Sequence, residues 1–186
     1  MANQITPKNY IYFRGGSFGD ITGKIVNNGK VLDKRLQIVL KSHLRIDPKF
    51  TERCNIETIV GHNKAILNYG LKNFQIIITD KRVRNIAARR FAEMNEIYNL
   101  AMVLVRYYPR KTHKTIRSLP LDKQISLLEK HYNIDIVDVP TIKLDFSCIL
   151  DKNKFLDLLG EHFEFDRSIA SEIWDEWYQK NLKWFE

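Results

Sequence analysis

Continuous apolar runs of strand length, separated by longer stretches with helical spacing, constrain this chain more than any other feature. Ile76-Ile77-Ile78 lacks polar alternation, so a strand there must be covered on both faces, as in a parallel sheet. NYIYF (9–13), IETIV (56–60), FQIII (74–78) and IDIVDV (134–139) read as strands, and an extended piece follows at 142–147. Helical patterns fill the intervals at 17–28, 33–45, 82–107, 121–132, 151–163 and 167–184. Asp80 is the expected N-cap of the longest, and Asn27-Asn28-Gly29 the expected stop of the first. The segment 106–119, RYYPRKTHKTIRSL, reads as a basic, turn-prone connection.

This order predicts an α/β fold over residues 1–186 as a single domain. Three layers are expected, with a mainly parallel sheet flanked by helices and a helical C-terminal part. Apolar residues at 44% and charged residues at 28% suit a packed core and exclude a disordered chain. No stretch approaches 18 apolar residues, and MANQITPKNY at the start carries no apolar signal region. A cytoplasmic protein without a membrane partner is therefore expected. Cys54 and Cys148 have no metal or redox spacing and read as thiols in a reducing compartment. The formal charge of +8 favours anionic partners, including nucleotides and nucleic acid.

The first strand runs into Arg14-Gly15-Gly16-Ser17 and then a helix. Such a turn is either an ordinary strand-to-helix connection or a loop that holds an anion. For the second use, glycines let backbone N–H groups approach phosphate or sulfate, a hydroxyl donates, and an arginine pairs with two oxygens at once. GxxxxGK[ST] and GxGxxG are both absent, so this is neither an NTPase loop nor a dinucleotide fingerprint.

The succession of strand, Arg-Gly-Gly-Ser and helix resembles the 5′-phosphosulfate loop of the sulfotransferase family. Arg14 matches its basic residue, Gly16 its glycine and Ser17 its first hydroxyl, while Phe18 stands where a second hydroxyl is usual. Residues 59–91 look like the family's second block, in which His62 falls where a histidine takes the proton from the acceptor hydroxyl. Residues 144–165 resemble its late segment.

The resemblance implies a P-loop-like fold and 3′-phosphoadenosine 5′-phosphosulfate as donor. It also implies catalytic roles for His62 and Arg14, with Arg14, Gly15, Gly16 and Ser17 around the donor. The family's 3′-phosphate ligands, an arginine and a serine, read Asp80 and Ala88 here; Lys81, Arg82, Arg84 and Arg89 are the substitutes. The acceptor, a hydroxyl or an amine, is not specified. Two other readings stay open: a basic module binding nucleotide or nucleic acid, and a catalytically silent accessory subunit.

Overall fold

The computed structural model describes residues 6–33, 36–37, 54–62, 66–67, 70–94, 100–105, 107–134 and 138–186. Among the described residues four strands, β1 (Asn9–Tyr12), β2 (Thr58–Gly61), β3 (Lys72–Ile78) and β4 (Thr141–Leu144), form one sheet in the order β2-β1-β3-β4. Every pairing is parallel, with Ile11 opposite both Val60 and Phe74, and Ile76 opposite Ile142. The chain leaves β1 for one neighbour and returns to the other, so the direction of winding reverses between β1 and β3. In open α/β sheets the crevice outside the carboxyl ends at such a reversal is where ligands sit.

The helices are α1 (Gly19–Val26), α2 (Lys81–Met94), α3 (Leu100–Leu104), α4 (His113–Ser118), α5 (Leu121–Glu129), α6 (Phe146–Leu150), α7 (Lys152–Gly160) and α8 (Arg167–Asn181). Strand periodicity sorts the core into two faces. Ile11, Phe74, Ile76 and Ile78 meet the helices in one cluster, with Ile21 and Ile25 of α1, Val83 and Ala87 of α2, and Leu156 of α7. On the opposite face, Tyr10 and Tyr12 pack with Leu32, Leu36, Cys54, Ile56, Ile59 and Ile66. The apolar run of β3 is buried on both sides, as its sequence requires.

Local chemistry sets the helix ends. Asp80 Oδ1 accepts from the backbone N–H of Arg82 at 2.7 Å and of Val83 at 3.1 Å, as expected of an N-cap. Asp145, Asp151 and Asp166 do the same for α6, α7 and α8. Helix α1 stops at Asn27, where Gly29 adopts φ +79° and its N–H bonds back to the Lys24 carbonyl at 2.8 Å. The Asn27 side chain then joins the helix to β2, donating to the Thr58 carbonyl at 2.7 Å and accepting from its N–H at 3.1 Å.

Some expectations change. Of the strand expected at 134–139, residues 135–137 lie outside the described residues; Ile134, Asp138 and Val139 beside them are not in a strand. Asp138 has φ +64°, which an extended strand does not permit, and the last strand begins only after Pro140. The connection at 106–119 is partly helical: a 3-10 turn over Arg110–Thr112 runs into α4, which buries Ile116. The helix expected at 33–45 lies almost wholly outside the described residues, and so does the middle of 82–107. Cys54 is buried and Cys148 half-buried. Among the described residues no helix is long and apolar enough to cross a membrane.

Candidate anion site at the carboxyl edge of the sheet

Arg14 follows the end of β1 and is only 4% exposed. One of its terminal nitrogens donates to the Ile134 carbonyl at 2.8 Å, and its guanidinium lies 5.9 Å from the centre of the Tyr12 ring. Nε is buried without a partner. None of the ion pairs among the described residues involves Arg14. Removing a guanidinium from water is costly unless a counter-charge pairs with it, and an anionic ligand is one group that supplies such a charge.

The rest of the loop is tightly enclosed. The Arg14 carbonyl accepts from the Ser17 N–H at 2.9 Å and the Ser17 hydroxyl at 2.5 Å, which turns the chain out of the sheet. A Cβ on Gly15 would lie 2.5 Å from the Phe91 ring. One on Gly16, at φ +94°, would lie 2.6 Å from the Ala87 carbonyl and 2.7 Å from the Tyr132 hydroxyl. The glycines therefore admit protein groups, not an open cradle. Phe18 takes φ 62° before α1, and Asp20 brings a carboxylate into its first turn. That negative charge opposes an anion at the helix N-terminus.

His62 stands at the end of β2, beside the same loop. Its Nδ1 lies 2.8 Å from the Phe13 carbonyl and its ring centre 4.2 Å from that of Phe13. Because a carbonyl only accepts, Nδ1 carries the proton in this contact, and the basic lone pair of the neutral ring sits on Nε2. Arg14 and His62 thus share the carboxyl edge of adjacent strands.

The cations of α2 diverge. Arg84 donates to the carbonyls of Ile78 at 3.3 Å and Thr79 at 2.7 Å, closing the end of β3. Arg82 covers the Phe146 ring at 4.0 Å, whereas Arg89 bonds Asn85 at 3.0 Å and approaches Asp122 at 3.9 Å on α5. Lys81 is exposed at the first position of the helix, and Ala88 is fully buried. Asp80 already satisfies the first N–H groups there. Arg14, Gly15, Gly16 and Ser17 form one loop, and His62 contacts Phe13 just before it; the structure does not gather Lys81, Arg82, Arg84 and Arg89 into one site.

Tyr132 is the residue that sequence reading missed. It is fully buried, and its hydroxyl donates to the Gly15 carbonyl at 2.6 Å. Burial pushes that hydroxyl well above the ordinary tyrosine value of 10.0, so it stays protonated and donates. Tyr107 and Glu129 push the same way. No local signal marks a tyrosine at the end of a helical pattern as a partner for a loop 117 positions away.

A second cleft of about 370 Å³ lies between α1, α2 and α8. Its charges are largely matched internally, Asp20 with Arg90, Glu93 with Lys183 and Glu176 with Lys180. Among the described residues no group of His, Cys, Asp and Glu is placed to hold a metal ion. Comparison with protein-family models, curated proteins and solved structures finds no match to this chain.

Proposed function

We propose that this protein binds an anionic nucleotide at the carboxyl edge of its sheet, with Arg14 as the charge that recognises it. The observation that carries this reading is the buried Arg14 guanidinium, which has an unpartnered Nε and no ion pair with any carboxylate among the described residues. A phosphate or sulfate oxygen supplies what the folded chain withholds. The reversal point between β1 and β3 is the position at which α/β sheets hold such ligands. The resemblance to the sulfotransferase loop, with its P-loop-like turn, names 3′-phosphoadenosine 5′-phosphosulfate as the donor to test.

His62 favours transfer over binding alone. With Nδ1–H held by the Phe13 carbonyl, Nε2 is the atom that accepts the proton of an attacking acceptor hydroxyl. The acceptor oxygen bonds to sulfur as the bond to the 5′-phosphate oxygen breaks, and adenosine 3′,5′-bisphosphate leaves. Arg14 stabilises the negative charge gathering on that leaving group.

A silent accessory role is favoured by a different observation, the filling of the space before Gly15 and Gly16 by Phe91, Ala87 and Tyr132. For nucleic acid, the exposed Arg110, Lys111, Lys114 and Arg117 around α4 are the candidate contacts.

The test is a melting titration with adenosine 3′,5′-bisphosphate on the wild type and Arg14→Ala. At one hundred times its dissociation constant a ligand adds about 2.7 kcal/mol of stability. A rise in Tm that Arg14→Ala abolishes supports the site. No rise at millimolar ligand overturns it and leaves the accessory reading.

A further inference from the structure

The carbonyl of Tyr132 stands where β1 would continue if the strand ran on past Tyr12. Along β3, Lys72 donates its N–H to Lys8 on the β1 side, whereas Gln75 and Thr79 donate to Pro140 and Leu144 on the β4 side. Strand periodicity then points the Ile78 N–H, six residues after Lys72, toward β1. Its partner is not Arg14, whose carbonyl is taken by Ser17, but the Tyr132 carbonyl at 2.8 Å.

Two further bonds hold the same short segment in the crevice. Tyr132 Oη donates to the Gly15 carbonyl at 2.6 Å, and Arg14 donates to the Ile134 carbonyl at 2.8 Å. The loop that carries the candidate anion-binding arginine is thus bridged by residues 132–134, and Arg14 Nε is buried without a partner. Ile134 is nevertheless 45% exposed, so the segment runs from the core to the surface within three residues.

We infer that Tyr132–Ile134 is an intrachain strap that closes the β1/β3 crevice and must withdraw before an anionic nucleotide reaches Arg14. This rests on the binding role proposed for Arg14 and adds its regulation. The strap competes with ligand through the Ile134 carbonyl, which takes one guanidinium nitrogen, and through the Tyr132 ring and carbonyl, which fill the space. Ligand binding then carries the cost of opening, and weakening the closed form raises the apparent affinity.

The experiment follows hydrogen exchange of the Ile78 amide in the full-length chain, with adenosine 3′,5′-bisphosphate as probe, alongside its dissociation constants for the wild type and Tyr132→Phe. The phenylalanine keeps the ring and removes the bond to Gly15. Expected are faster exchange at Ile78 on adding ligand and tighter binding to Tyr132→Phe, by about fivefold if one ordinary hydrogen bond held the strap closed. Slower or unchanged exchange at Ile78, or equal or weaker binding to a folded Tyr132→Phe, overturns the strap and leaves Arg14 as the binding group. Absence of binding to both proteins overturns the Arg14 reading, and the strap with it.

Discussion

Arg90 Nε donates to Asn181 Oδ1 at 2.6 Å, joining the helix that follows β3 to the last turn of α8 across 91 positions of sequence. The same guanidinium reaches Asp20 on α1 at 3.1 Å and lies over the Phe18 and Trp177 rings at 5.6 and 5.7 Å. One buried cation therefore ties three helices together behind the loop that holds Arg14. Arg90→Ala should cost about 2–3 kcal/mol, through lost charge-assisted bonds and lost packing of the aliphatic stem. Lys183→Ala, which loses an exposed pair with Glu93 and an exposed contact over the Trp184 ring, should cost no more than about 1 kcal/mol. Urea unfolding of the two variants separates these outcomes.

Arg14→Met tests whether the buried charge serves folding or ligand. Methionine removes a buried cation that no carboxylate among the described residues pairs with, but gives up the bond to Ile134, so the net change should stay within about 1.5 kcal/mol. The Tm response to adenosine 3′,5′-bisphosphate should vanish in this variant. A loss of several kcal/mol by urea unfolding would show that Arg14 is kept for the fold.

Glycine substitutions should rank by what surrounds them. Gly16→Ala combines φ +94° with contacts inside 3 Å to a carbonyl, a hydroxyl and the Phe91 side chain, so it should cost more than about 2 kcal/mol. Gly70→Ala has φ +73° but open space, and should cost about 1 kcal/mol from the backbone alone. Gly160→Ala, in a helix with nothing within 4 Å, should stabilise by about 0.5 kcal/mol. Thermal unfolding of the three gives the ranking, and a Gly16→Ala protein as stable as wild type would refute the packed turn.

Stability should fall at both ends of the pH range for identifiable reasons. The Cys148 backbone N–H bonded to Asp145, with help from Ser147, holds its carboxyl below the ordinary value of 3.8. The unfolded chain then binds more protons in that region, so stability is present above the ordinary value and is lost as pH falls through the folded one. Asp145→Asn should flatten the acid limb. Tyr132, raised by burial, has the opposite sign: its contribution is full below 10.0 and is lost as pH rises above it. Tyr132→Phe should flatten the alkaline limb, measured as urea midpoints against pH.

Much of the fold is legible in local patterns. The apolar runs 9–13, 56–60 and 74–78 overlap the strands at 9–12, 58–61 and 72–78, the Asp80 cap follows from its place before a helical period, and the end of α1 from Asn27-Asn28-Gly29. These signals survive in a single sequence because each depends on neighbours a few residues away. Of the strand expected at 134–139 only the ends are among the described residues, and they depart from it at Asp138, whose left-handed backbone answers to its surroundings and not to the hydropathy of the run.

Local patterns alone predict a mainly parallel sheet buried on both faces, with a cation and glycines after the first strand. Continuous apolar runs admit no half-exposed sheet, and the residue order places Arg14 after β1 in any such fold. Packing of distant elements sets Arg82 over Phe146 and turns Arg89 to Asp122, and it brings Phe91, Ala87 and Tyr132 against Gly15 and Gly16. It alone decided that Tyr132 takes the hydrogen-bonding place that β1 gives up. The physical reason is distance along the chain: a hydrogen bond between residues 54 or 117 positions apart leaves no periodicity in sequence, and which groups meet is fixed only when the helices pack.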